Sequence, residues 1–185
     1  MFEKALTEAL TRLEAARAQG LLSGYALIGG FAVAAWGVPR ATQDIDFAIA
    51  IGTNDPQALA TFMGGRYDGG DPDDPLMGVI RASVTVASAT VPLQLVFLPS
   101  RFTGSIFQDV ETLSILNHRV PVVNWEALVL LKVYAGGPQD MLDARQILNV
   151  RQPSATELTK ISNLAETLGI REEWMVVAAE HSKDH

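Results

Sequence analysis

Apolar positions along this chain change period several times, and each change marks an element. Phe2, Leu6, Leu10 and Leu13 recur at spacings of 4, 4 and 3, which predicts an amphipathic helix ending near Gly20. Tyr25 to Ile28 is a short apolar run closed by Gly29-Gly30, read as a strand entering a tight turn. Phe31 to Trp36 then reads as a brief buried helix stopped by Gly37 and Pro39, and Ile45 to Ile51 as a second strand. Asp55 to Met63 predicts a surface helix. Gly64 to Pro75 holds four Gly, four Asp and two Pro, so it reads as a loop. Val79–Ala87 and Val91–Leu98 form a predicted strand pair, and Leu113–Ile115 with Val120–Val123 a short hairpin turning at Asn117-His118.

From Asn124 onward the pattern is helical. Asn124 is placed to cap a helix through Tyr134, which Gly136-Gly137-Pro138 ends. Asp140 to Val150 reads as a second helix. Ser154 with Glu157 has capping-box spacing for a third, and Arg171 to Glu180 forms a fourth. The expected class is α+β: a small mixed β-sheet flanked by helices over residues 1–123, with a C-terminal helical part over 124–185. No internal repeat, low-complexity tract or clear linker interrupts it.

Composition narrows the functions open to such a chain. Its 185 residues are 48% hydrophobic and 19% charged, enough to bury a core. No apolar stretch reaches the roughly 18 residues of a membrane span, and the acidic, helix-periodic N-terminus does not read as a secretory signal. The chain has no cysteine, which removes disulfides, thiolate nucleophiles and cysteine-based zinc sites and fits a cytoplasmic protein. A net charge of -7 argues against a broad basic face for duplex DNA. A small nucleotide held through a metal stays compatible, because the metal brings the positive charge.

The candidate chemistry lies in YALIGGFAVAAWGVPRATQDIDFAIA, residues 25–50. Gly29 and Gly30 follow a strand and precede a helix, so backbone N–H groups can face an anion with no Cβ in the way. Asp44 and Asp46 are two apart on a predicted strand and leave the same face, while Ile45 and Phe47 point into the apolar layer behind. Two carboxylates on one face repel by about 4 kcal/mol at 4 Å with an effective dielectric near 20. A hard divalent cation turns that repulsion into a site, and Mg²⁺ commonly joins one or two carboxylates to substrate phosphates.

An apolar residue, Gly, Gly or Ser, a spacer and a carboxylate–apolar–carboxylate strand together resemble the signature of the nucleotidyltransferase superfamily with the DNA polymerase beta-like fold. Here Ile28-Gly29-Gly30 is followed by thirteen residues and then by Asp44-Ile45-Asp46-Phe47. Arg40-Ala41-Thr42 just before the carboxylates resembles small bacterial members, including toxins of toxin–antitoxin pairs. A second block, EALVLLKVYAGGPQDMLDARQIL, is similar to the family at Lys132, the Ala-Gly turn, Asp140 and Asp143, so the likeness spans residues 25–148. It implies that Asp44 and Asp46 hold Mg²⁺ (or Mn²⁺) against the phosphates of an NTP. It further implies that Gly29, Gly30 and Thr42 border the nucleotide, and that Arg40 or Lys132 neutralises charge. An RNA, protein or small-molecule hydroxyl would then attack the α-phosphate. An antitoxin protein is the implied partner of a toxin.

One expected element departs. Active members place a third carboxylate on a neighbouring strand, and in Val91–Phe97 the matching position is Gln94. No Asp or Glu occurs between Pro75 and Gln108. Glutamine offers a carbonyl oxygen without charge or useful basicity. A degenerate nucleotide-binding or protein-interaction module is therefore the competing reading, and a purely structural module the third.

Plainer roles stand beside these. Arg40 is equally suited to pairing a nearby carboxylate. Lys132 suits snorkelling from an apolar helix, Asp140 a helix cap, and Asp143 with Arg145 a surface network. His118, His181 and His185 read as exposed, Trp36, Trp125 and Trp174 as packing residues, and Asp71, Asp73 and Asp74 as solvated loop positions.

Overall fold

The computed structural model describes residues 1–70 and 77–181. Asp71, Asp73, Asp74 and His185 lie outside the described residues. Eight helices and seven strands follow one another through the described residues. The first half comprises α1 (Phe2–Ala18), β1 (Gly24–Ile28), α2 (Gly29–Ala35), β2 (Ile45–Ala50), α3 (Pro56–Phe62), β3 (Arg66–Gly69), β4 (Gly78–Val86) and β5 (Ala89–Phe97). Then come α4 (Ser100–Ile106), β6 (Glu111–Ile115), β7 (His118–Val122), α5 (Trp125–Ala135), α6 (Pro138–Arg151), α7 (Ala155–Leu168) and α8 (Arg171–His181). The strands form one sheet in the order β3-β4-β5-β2-β1-β7-β6. The β2–β5 and β1–β7 pairs are parallel and the others antiparallel. The fold is α+β with a mixed sheet, as expected.

Register explains the two faces. Ile45, Phe47 and Ile49 of β2 lie level with Leu93, Leu95 and Phe97 of β5, all fully or nearly fully buried. Helix α1 covers this face: it packs on β4 and β5, and its Glu14 accepts a 2.5 Å hydrogen bond from the hydroxyl of Tyr25 in β1, whose ring meets Phe47 edge-on. That bond and burial push the Tyr25 phenol well above its ordinary pKa, burial being the larger cause. On the other face Asp46 lies level with Gln94, beneath α5. Leu128 and Leu131 of α5 share a cavity wall with Asp46, Val96 and Leu98.

Helix α5 is buried on almost every side, through Trp125, Ala127, Leu128, Val129, Leu130, Leu131 and Val133. A helix apolar all round belongs in an interior, and α6, α7 and α8 pack against it. Its ends are built as the sequence predicts. Asn124 Oδ1 accepts from the Ala127 amide, and Gly136 closes the C-terminus at φ +68°. Ser154 and Glu157 form the reciprocal capping box of α7.

Three local expectations need correction. The segment Gly64–Pro75 is not all loop, because Arg66–Gly69 pairs with β4 as an edge strand. Strand β3 has too few apolar residues to show the alternation that would reveal it. The β6–β7 turn sits at Leu116-Asn117, with φ of 47° and 65°, one residue earlier than predicted. Two successive left-handed residues suit a tight hairpin, and leucine concealed the site. Helix α4 went unread because it is seven residues long, contains Gly104 and has no side-chain N-cap.

Phe47 is wholly buried at the sheet centre, so Phe47→Ala should cost about 3–5 kcal/mol in urea unfolding. Ser154→Ala, which removes one capping oxygen, should cost only about 1 kcal/mol.

Candidate active site

Two glycines allow the first half of the site to close. Gly29 has φ +67°, and a Cβ built there would lie 2.0 Å from Asp46 Oδ2. A Cβ on Gly30 would lie 2.6 Å from Thr42 Cβ. The β1–α2 turn therefore packs its backbone directly against the two residues that flank Asp44. No side chain caps α2. As the sequence implied, the glycine turn and the acidic pair meet in one place.

Asp44 stands just before β2, not within it. Its orientation comes from two hydrogen bonds: Thr42 Oγ1 donates to Oδ1 at 2.8 Å, and Gln94 Nε2 donates to Oδ2 at 2.9 Å. Gln94 faces Asp46 across the parallel β2–β5 pair, at the position where the resemblance implies a third carboxylate. Its amide serves as a donor that holds Asp44.

Asp46 is the perturbed group. Burial, then the charge of Asp44, raises its pKa from an ordinary 3.8 to about 7, partly offset by Lys132 and Arg40. The apolar wall is visible in the geometry: a cavity of about 110 Å³ is lined by Ile28, Gly29, Asp46, Val96, Leu98, Leu128, Leu131, Lys132, Ala135 and Asp140. Withdrawing a carboxylate from water beside another carboxylate favours its neutral form.

The cations belong to a second layer built by α6. Asp143, fully buried, receives Arg40 Nε at 3.2 Å, Lys132 Nζ at 3.0 Å and Gln139 Nε2 at 2.9 Å. Lys132 Nζ also meets Asp140 Oδ1 at 2.7 Å. Asp143 is thus no surface residue, and its suggested partner Arg145 pairs instead with Glu180 at 2.6 Å. Asp140 is not the cap of α6, which is Gly137; it reaches toward Lys132 from the first turn. Arg40 does pair a carboxylate, and Lys132, 12% exposed, lies on the cavity wall rather than snorkelling outward.

With Asp46 ionised, as a bound cation would require, four carboxylates and two cations leave an excess of two negative charges here. Oxygen donors on Asp44 and Asp46, one of them desolvated, fit a hard divalent ion that completes its shell with phosphate oxygens. Among the described residues no group of three or more His, Cys, Asp or Glu side chains is placed to share a metal.

Elsewhere the expectations divide. Trp36, Trp125 and Trp174 are buried, and Arg151 stacks over the first two. The histidines need correction: His118 is half-buried and bonded to Thr7 at 2.9 Å, and His181 is 8% exposed with Nδ1 3.1 Å from Asn149 Oδ1. Hairpin and helix packing draw both inward. Arg81 was missed. It lies opposite Gln94 in the β4–β5 pair and lines a cleft with it, while its guanidinium pairs with Asp68. Alternation in β4 gives Arg81 a face, but only cross-strand register puts that face beside Gln94.

No protein-family model matches the chain, and no curated protein matches it. Among solved structures the chain is similar to ANT(2")-Ia in complex with adenylyl-2"-tobramycin, at 18% identity over 96% of this chain and 97% of that one, with a TM-score of 0.44. A superposition that loose carries no inference about activity or substrate.

Two outcomes follow from the geometry. Gly29→Ala, which meets both a positive φ and a carboxylate oxygen at 2.0 Å, should lower the melting temperature and displace Asp46, whereas Gly20→Ala, strained in φ but with open space around it, should leave the site intact. Comparison of both melting curves and nucleotide-induced shifts checks this. The pH dependence is also signed. Because the folded chain keeps a proton on Asp46 up to about pH 7 that the unfolded chain loses near 4, stability should fall as pH rises through that window and level off above it. The loss is up to about 4 kcal/mol. Asp46→Asn should remove this part of the slope, and millimolar Mg²⁺ should reduce it, in urea melts from pH 4 to 8.5.

Proposed function

We propose that this protein is a nucleotidyltransferase that moves a nucleoside monophosphate from an NTP to an acceptor hydroxyl. The single observation supporting this most strongly is the close packing of Gly29 against Asp46 with Asp44 alongside. Nothing about a generic sheet edge requires a positive-φ glycine to lie 2.0 Å, at its missing Cβ, from a desolvated carboxylate. The motif order from Gly29 to Asp143 supports the same reading.

Asp44 and Asp46 would hold Mg²⁺ or Mn²⁺, which supplies charge neutralisation at the transferred phosphoryl group. Gly29 and Gly30 let Asp46 and Thr42 pack against the turn backbone, and the polyphosphate would lie beside that turn. Lys132 lines the same cavity as Asp46 and adds a fixed positive charge. The acceptor hydroxyl gives up its proton to water as its oxygen bonds the α-phosphorus, the bond to the bridging oxygen breaks, and pyrophosphate leaves. Phosphoryl transfer through a loose transition state relies on positioning and charge stabilisation. Loss of a basic third carboxylate therefore slows such a reaction without removing its main source of rate.

The acceptor is an RNA, a protein or a small molecule, and a toxin opposed by an antitoxin is the biological setting that the resemblance implies. An NTP-consuming chain without cysteine suits the cytoplasm. Among the described residues no helix is long and apolar enough to cross a membrane.

Gln94 favours one second reading, a nucleotide-binding module without turnover. Incubation with each labelled NTP, Mg²⁺ or Mn²⁺ and total RNA separates the two. Labelled product that drops at least about 100-fold in Asp44→Asn or Asp46→Asn is expected, since the metal supplies several kcal/mol. Nucleotide-dependent stabilisation with no label would support the binding module, and no nucleotide effect on melting would support neither.

A further inference from the structure

We propose that this site takes one divalent cation per chain and that Gln94 is the residue that sets that number. The inference rests on the metal-dependent reading of Asp44 and Asp46 given above.

Two-metal phosphoryl-transfer sites hold their ions about 3.5–4 Å apart, which requires carboxylate oxygens enough to bridge the pair and to anchor each ion separately. The oxygen supply here is short for a reason visible in the hydrogen bonds. Asp44 Oδ1 already accepts from Thr42 at 2.8 Å, and Oδ2 accepts from Gln94 at 2.9 Å. At the position level with Asp46 across β5, where a second cation would need an anionic acceptor, the chain presents an N–H donor. A donor aimed at Asp44 competes with a cation for the same oxygen.

Among the described residues the neighbouring acids are already paired, including Asp68, which lines a cleft with Gln94 and pairs with Arg66 and Arg81. Asp143 is spent on Arg40, Lys132 and Gln139, and Asp140 on Lys132. Level with Gln94 on the β4 side is Arg81, whose guanidinium is held by Asp68. Between Pro75 and Gln108 there is no acidic residue to move in. The excess of two negative charges counted above matches one divalent ion. A second would leave the protein side of the site positively charged and would depend wholly on phosphate for ligands.

Gln94 is a positioning residue in this account. It acts through Asp44, fixing its rotamer and withholding the ligand for a second ion. Gln94→Glu is nearly isosteric and replaces a donor by an anionic acceptor. It should create the missing half.

The test is Mn²⁺ titration of the whole chain, with and without inorganic triphosphate, counting bound ions by equilibrium dialysis and reading their mutual distance by electron paramagnetic resonance. The unaltered protein should bind one Mn²⁺ with an uncoupled six-line spectrum. Gln94→Glu should bind two with an exchange-coupled spectrum, and Gln94→Leu should still bind one. Two coupled ions in the unaltered protein would overturn the inference and leave the metal-dependent reading standing. One ion in a folded Gln94→Glu variant would overturn it as well. No binding by the unaltered protein, or binding unchanged in Asp44→Asn with Asp46→Asn, would overturn both.

Discussion

The site depends on the absence of one carbon atom. With a Cβ at Gly29, Asp46 could not remain where it is, since the added atom would fall 2.0 Å from its carboxylate oxygen. Because Gly29 is bare and left-handed, β1 can turn into α2 directly over the end of β2. That turn shields Asp46 from water on one side, while Leu128 and Leu131 shield it on another. The raised pKa of Asp46 follows from this enclosure more than from Asp44. Enclosure and charge repulsion act in the same direction, and under the proposed function a bound cation would offset both. A carboxylate pair held in this way is costly when empty, and such cost is typical of groups selected for what they bind rather than for stability.

Much of this was legible because it is local. Helix ends carry their own marks, as Asn124, Ser154 with Glu157, and Gly136 show. The alternation of Ile45, Phe47, Leu93 and Leu95 gives buried faces that the structure repeats. What stayed hidden depends on which segments become neighbours. Asp143 looks like an exposed helix residue until Arg40, 103 positions earlier, donates to it. Asp140 looks like a cap until Lys132 of the preceding helix is seen beside it. Gln94 was readable as a missing carboxylate but not as a donor to Asp44, because that needs the β2–β5 register. Strand β3 and helix α4 were lost for a different reason: each is too short for a period to be established.

The α5–α6 pair does more than complete the core. Buried Asp143 binds a cation from the β-sheet half, Arg40, and one from the helical half, Lys132. An ion network this enclosed gives little net stability, because desolvation offsets attraction. Its use is geometric: it fixes how far the Lys132 ammonium stands from Asp46, and so fixes the local field across the cavity. Removing Asp143 would leave two cations without their buried counter-charge, so structure and electrostatics there are inseparable.

The parallel seam between β1 and β7, with Leu27 level with Val122, has a consequence in time. Its two strands are separated by almost a hundred residues, and the helices that close the cavity come later still. Contacts of such long separation form slowly, and chains emerge from the ribosome N-terminus first. A nascent chain therefore exposes Gly29, Asp44 and Asp46 well before Lys132 and Asp143 exist to face them. Whatever this pocket can do begins only once α5 and α6 have been made and docked.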